Sequence, residues 1–215
     1  IAAASIGQVH RAIAIDPDTG QERPVAVKVQ YPGVDAALAA ELRNADIDAA
    51  ILVLSEPPPE TAPYVVRHRL TPTVYRRGFL DAIVAERPVG FPVHLKIDTG
   101  MQRVGAHPHV AASIVAAIEQ RSPAIRLAGV FTHFAVADEA GPDAVAFTEG
   151  QLEALTEVVD QIPDVPLVHA ANSAGALAHP ASRLSMVRIG IAMYGISPGP
   201  GVDHLCADLR PALQL

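Results

Sequence analysis

Short apolar runs recur along the chain and alternate with segments whose apolar positions fall at three- and four-residue steps. Residues 51–54, 70–75, 92–98, 127–135, 167–170 and 186–188 read as six strands, the second interrupted by Pro72. Most are continuously apolar, as strands covered on both faces are. Residues 110–120 and 147–161 read as helices. In the second, Leu152, Leu155, Val158 and Val159, with Ile162 just beyond, share one face. Strands alternating with helices predict a parallel sheet with crossover helices.

The first forty residues have a different pattern. Residues 6–15 and 24–30 are apolar and β-branched, and Asp16-Pro17-Asp18-Thr19-Gly20 between them is a turn cluster. This predicts a β-hairpin over 1–40, joined near 36–43 to a β/α segment over 41–215. The fold class expected is α/β: a partial TIM-type (β/α)8 barrel with about six of the eight strands, preceded by the hairpin. An open doubly wound sheet has the same alternation, but no Gly-x-Gly-x-x-Gly follows any strand. An incomplete barrel has open edges, and the hairpin is placed to cover one of them. Glu56-Pro57-Pro58-Pro59-Glu60 reads as a stiff surface connection.

Polar residues gather at the strand ends, where a β/α barrel builds its site. In residues 94–105 (His-Leu-Lys-Ile-Asp-Thr-Gly-Met-Gln-Arg-Val-Gly), alternation puts His94, Lys96 and Asp98 on one face, with Arg103 just beyond. Such a group either receives an anion or is a structural ion pair at the barrel mouth. His133 ends the next strand between aromatic residues, as a satisfied core histidine or an imidazole beside a flat ligand. His169 precedes Asn172 and Ser173, which either cap the following helix or, with free backbone N–H groups, face a phosphate. Arg188 is a permanent cation at the end of the last strand, followed by Gly190 and Ile191 as possible backbone donors. Buried without a partner it would be costly, so it calls for a ligand or a carboxylate.

Composition narrows the function. Half of the 215 residues are hydrophobic, enough for a sizeable core, and the net charge is −7 with no basic cluster. That excludes an electrostatic footprint for nucleic acid and disfavours a membrane surface. No apolar run reaches the ~18 residues of a membrane span. The single cysteine, Cys206, suits a reducing cytoplasmic compartment and a buried apolar role. The opening Ile1-Ala2-Ala3-Ala4 is unlike a signal peptide and reads as the interior of a longer chain. No metal ligand set is singled out.

Taken together, residues 94–105, 131–139 (Phe-Thr-His-Phe-Ala-Val-Ala-Asp-Glu), 169–175 (His-Ala-Ala-Asn-Ser-Ala-Gly) and 186–195 (Met-Val-Arg-Ile-Gly-Ile-Ala-Met-Tyr-Gly) resemble the alanine racemase family in order and spacing, over about 41 to 215. The resemblance implies a β/α barrel with pyridoxal 5′-phosphate (PLP) at the strand ends. It also implies interconversion of L- and D-alanine for the cell wall, and a homodimer. By the same resemblance Arg188 is similar to the arginine at the pyridine nitrogen. Ser173, Gly190 and Ile191 match phosphate-binding positions, and His133 matches the imidazole beside the ring. His169 and Asn172 match supporting residues, His169 near the arginine. Arg103 matches the arginine near the cofactor's phenolic oxygen and the substrate carboxylate. Lys96 matches a lysine that some members carry as a carbamate, holding that arginine.

The family's cofactor-linked lysine lies in an Ala-Val-Val-Lys-Ala-x-Ala-Tyr-Gly-like motif. Val25-Ala26-Val27-Lys28 departs from it at Gln30-Tyr31-Pro32. The opposing tyrosine belongs to a C-terminal β domain beyond Leu215. Since racemisation takes a base on each face of the α-carbon, the 215 residues are expected to be catalytically incomplete. Residues 1 to about 36 resemble instead the UbiB/ABC1 atypical kinases, with Lys28 matching the lysine that pairs with nucleotide phosphates; the catalytic and metal-binding Asp segments have no counterpart. Besides a racemase-family enzyme, the sequence therefore allows a non-catalytic PLP-binding barrel module or an ABC1-type kinase fragment.

Overall fold

The computed structural model describes residues 9–15, 22–28, 42–43 and 47–212, with backbone alone in the first two ranges. β1 (Val9–Ile15) and β2 (Glu22–Lys28) pair antiparallel, Val9 opposite Lys28 and Ile15 opposite Glu22. This is the hairpin that the turn cluster predicts; its expected outer ends, residues 6–8 and 29–30, lie outside the described residues. The hairpin makes a sheet of its own. Its expected role as a cover for the barrel edge is thus corrected: among the described residues β2 pairs with β1 and with no strand of the larger sheet. Pairing two segments so close in sequence costs less chain entropy than reaching a distant edge.

The larger sheet has five parallel strands ordered as in the sequence: β3 (Leu52–Val53), β4 (Thr71–Val74), β5 (Phe91–Lys96), β6 (Ile125–Phe131) and β7 (Val168–His169). Each is followed by a helix: α1 (Ala62–Arg67), α2 (Arg77–Ala85), α3 (Ala111–Glu119), α4 (Pro142–Val159) and α5 (Ser173–Ala178). The result is an α/β half-barrel, a curled run of consecutive βα units. No described helix is long and apolar enough to cross a membrane.

Helix α4 shows how local sequence sets these elements. Gly141 caps it and Pro142 stands in the first turn, where its fixed φ fits and its missing N–H is not needed. Asp143 faces the positive end of the helix dipole. The helix therefore begins at Pro142 rather than at Phe147. It buries Ala144, Thr148, Gln151, Leu155 and Val158, one stripe at helical spacing.

The core lies between sheet and helices. Val93 and Leu95 of β5 and Val130 of β6 meet Phe79, Leu80 and Ile83 of α2, Ile118 of α3 and Leu155 of α4. Burying each large apolar side chain is worth roughly 1.5–3 kcal/mol. The concave face is different: Thr73, His94, Lys96, Phe131 and His169 are all buried there, four of the five polar. In β6, Val93 stands opposite Leu127 but His94 opposite Gly129, so Ala128 is surplus and makes a bulge. Glycine is required at 129, since a Cβ would lie 2.6 Å from Cε1 of the His94 ring.

Two expectations are corrected on the larger sheet. Residues 186–188 are not a sixth strand. They run beside β7, Arg188 N–H donating to Ala171 O at 2.9 Å and Ser185 N–H to Val168 O at 3.1 Å. However, the Val168 N–H donates to the Ser185 hydroxyl at 3.1 Å, where a ladder would need a backbone carbonyl. Nor is Glu56 a surface residue. Its carboxylate accepts from the Tyr75 and Arg76 amides at 2.6 and 2.8 Å and from Arg76 Nε at 2.7 Å, tying the end of β3 to that of β4.

Candidate functional site

A cavity of about 620 Å³ opens over the C-terminal ends of the parallel strands. Lys96 and Phe131, the last residues of β5 and β6, line it, as do Arg103 and His133 from the following loops. Asn172 and Ser173 enter where β7 turns into α5, and Arg188, Gly190 and Ile191 close the far side. The residues singled out from the sequence thus meet around one space, with three exceptions, His94, His169 and Asp98. His169 lies beneath, fully buried. Asp98 is used elsewhere: its Oδ1 accepts from Gly100 N–H at 3.1 Å and Gln102 N–H at 2.9 Å, stabilising the turn that carries Arg103. A strand end that reverses sharply needs such a cap, so Asp98 is not a site carboxylate.

Arg188 is the most elaborately held group. Nη1 donates to Nδ1 of His169 at 2.7 Å, and Nη2 to the carbonyls of Thr132 at 2.7 Å and Ala170 at 2.9 Å. His133 Nδ1 is 3.4 Å from Nη2. Guanidinium has donors only, so His169 Nδ1 accepts and its proton sits on Nε2. Nε2 in turn lies 3.0 Å from His94 Nδ1 and donates to it. His94, read from the sequence as facing the mouth, is instead the foot of this relay, buried against Gly129. Burial pushes Arg188 down to about 10, so it remains a cation, and part of its surface still faces the cavity.

The same burial, reinforced by neighbouring cations, keeps the histidines neutral. His94 is lowered to about 4 by desolvation, then by Arg126 and Arg188. His133 is lowered to about 3 by desolvation, then by Arg188, Lys96 and Arg103. His169 is pushed lower still, by desolvation and then Arg188. Lys96 falls to about 8 because it is buried and faces Arg103 and Arg188.

Phe131 is the floor on which these cations meet. Its ring stacks on His169 at 4.5 Å, with Lys96 Nζ 5.6 Å and the Arg188 guanidinium 5.2 Å from its centroid. Against the three cations Lys96, Arg103 and Arg188, Asp138 is the single carboxylate among the described lining residues. In a chain of net charge −7, this is a local excess of positive charge suited to an anion.

On the opposite wall Asn172 caps α5, accepting from Gly175 N–H at 2.9 Å. The Ser173 hydroxyl accepts from Gly190 N–H at 2.9 Å and more weakly from Ala192 N–H at 3.4 Å. The Gly190 amide, expected as a free donor, is therefore paired with Ser173, which keeps its own hydroxyl proton to donate. Three contributors escaped the sequence reading. Phe131 and Asp138 stood inside quoted blocks without a role. Gln151 lies in a helix and shows its importance only through distant partners.

The arrangement meets a test for PLP. Arg188 Nε is buried and has no hydrogen-bond partner among the described residues. A buried donor left unmade costs about 1–3 kcal/mol, and an unprotonated pyridine nitrogen is an acceptor suited to it.

Comparison with known proteins identifies the family. A model of the alanine racemase N-terminal domain matches residues 25–198. The chain belongs to the alanine racemase family. It is 40% identical over 185 residues to alanine racemase of Geobacillus stearothermophilus, covering 85% of this chain and 47% of that one. It is 36% identical over 184 residues to the enzyme of Treponema denticola, covering 82% and 48%. The solved alanine racemase of E. faecalis superposes with a TM-score of 0.73 at 32% identity, covering 82% of this chain and 48% of that one. The Bacillus anthracis enzyme, solved with bound L-Ala-P, gives 0.72 at 31%, covering 81% and 46%. The chain thus spans about half the length of these alanine racemases. The family match begins at Val25, inside β2, and so takes in Lys28, whose side chain lies outside the described residues.

Proposed function

We propose that the cavity binds PLP and belongs to an enzyme interconverting L- and D-alanine, supplying D-alanine for the cell wall from the cytoplasm as a homodimer. The observation that carries this reading is the unpaired Arg188 Nε beneath a cavity rich in cations. Bound PLP would supply an electron sink for the α-carbanion. Arg188 holds a proton at Nε toward the ring nitrogen and, as a fixed cation, opposes protonation there. The Ser173 hydroxyl proton and the Ile191 amide hold the phosphate, Gly190 N–H holding the Ser173 oxygen in place, and neutral His133 orients the ring. Arg103 receives the phenolic oxygen and the substrate carboxylate. His169 and Asn172 support the arginine and the phosphate wall. Within this reading residues 1–40 are a hairpin segment distinct from the barrel portion 41–215. The separate two-stranded sheet supports that division, while the match from Val25 weighs against a boundary beyond β2.

Lys96 has a further part here. Lowered to about 8, it offers a share of neutral amine near neutral pH. The amine nitrogen adds to the carbon of CO2 and loses a proton, giving a carbamate anion that holds Arg103. A carbamate carbon signal after incubation with 13C-bicarbonate, absent in Lys96→Met, is the expected result.

A PLP absorbance titration tests the main reading. Saturable binding by the chain, lost in Arg188→Ala and weakened in Ser173→Ala, is expected; an unsaturable titration overturns it. With PLP bound, the 215 residues alone are expected to racemise alanine negligibly, because a base for each face of the α-carbon is not identified in them. Measurable D-alanine formation would show that expectation wrong and turn attention to Lys28.

A further inference from the structure

Behind the cavity, on a helix that does not line it, one buried side chain connects both rim loops. Gln151 of α4 is 1% exposed. Its Oε1 accepts from Ala135 N–H at 2.9 Å, and its Nε2 donates to His133 O at 3.2 Å and Thr99 Oγ1 at 3.3 Å. The amide orientation is unambiguous, since a backbone N–H only donates and a carbonyl only accepts. Thr99 Oγ1 lies 2.6 Å from Thr132 Oγ1, and the Thr132 carbonyl is one of the acceptors of Arg188. One turn earlier in α4, Phe147 packs on the same loop; a Cβ on Gly100 would come within 2.9 Å of its ring. The helix therefore grips the loop that bears Arg103 and the loop that bears His133 at once.

We infer that Gln151 is a positioning residue: it fixes the spacing between the Arg103 and His133 loops, and with it the width of the cavity mouth for a flat, anionic ligand. The inference rests on the cofactor reading above for the ligand, but not for the geometry. Loops after parallel strands are the mobile parts of a barrel. A single carboxamide with three partners on two of them couples their positions without touching the ligand. A side chain that merely filled the core would be replaceable by an apolar one of the same shape.

Gln151→Met keeps that shape and removes all three bonds; Thr99→Val removes the link between the loops and leaves the bonds to 133 and 135. The readouts on the whole chain are the ring NMR signals of His133, with those of distant His68 as control, and the dissociation constant for PLP. Gln151→Met is expected to fold, to move the His133 signals and not those of His68, and to weaken PLP about tenfold, the equivalent of one lost hydrogen bond. Thr99→Val is expected to show a smaller change of both. A folded Gln151→Met with parental His133 signals and parental affinity overturns the inference. Should Gln151→Met not fold, unmoved His133 signals in Thr99→Val overturn it. If the parent chain binds no PLP but the His133 signals move as described, the positioning role stands and the cofactor reading fails.

Discussion

Arg188 and Arg103 line the same cavity, yet the chain holds them very differently. Arg188 is seated on two backbone carbonyls and a histidine relay whose far end is locked over Gly129. Arg103 stands exposed on a turn that Asp98 caps, with no hydrogen bond or ion pair of its own among the described residues. One cation is ordered before any ligand arrives. The other keeps its rotamer freedom and becomes ordered, at an entropic cost, when it meets an anion. Interior and rim thus divide the work: the first supplies a fixed reference point, the second an adjustable clasp.

The sharpest way to break this contrast is to remove the interior cation. Arg188→Ala strands the Thr132 and Ala170 carbonyls and His169 Nδ1 in a buried place. At about 1–3 kcal/mol per unmade bond, it is expected to lower stability in urea unfolding by roughly 3 kcal/mol or more. A loss under 1 kcal/mol would mean that the fork is not structural.

Acid should attack the interior next. His94, His133 and His169 are neutral in the fold, with pKa values lowered to about 4, to about 3 and lower still; unfolded, each returns to about 6.5. Below that value the unfolded chain binds more protons, so stability falls as pH drops from about 6.5 toward 4 and beyond, while above it these groups add no pH dependence. Unfolding curves at a series of pH values check the slope, which His94→Asn should reduce. A flat profile between 6.5 and 4 would remove the neutral relay.

The smallest effect belongs to the rim. Arg103→Ala should leave stability within about 0.5 kcal/mol, as exposed substitutions do, while weakening PLP binding in the same titration that Arg188→Ala abolishes. Equal loss of stability in the two variants would erase the distinction.

Much of this architecture is legible in the chain. Alternation placed Lys96 at a strand end, the small-residue run at 169–175 marked a strand opening into a helix, and Arg188 stood out as a cation in an apolar context. What could not be read depends on partners far away in sequence. Glu56 is buried because the Tyr75 and Arg76 amides need it. Asp98 is withdrawn from the site by the turn that follows it. Residues 186–188 have a strand's composition but lose the ladder where the Ser185 hydroxyl takes the Val168 amide. Gln151 sits on the apolar stripe of α4, where a polar residue has no meaning until the loops it holds are in place.

The surplus Ala128 decides more than the bend of one strand. Ahead of it, Ile125 of β6 belongs to the helix-facing core; past it, Val130 does, and Phe131 looks into the cavity. Odd-numbered and even-numbered positions have exchanged sides, because strand alternation runs on a strict count of two. Had the count continued unbroken, Val130 would stand beside Lys96, and Phe131 would be turned toward α3 and α4. The aromatic plate between the two buried cations exists through a single miscounted residue.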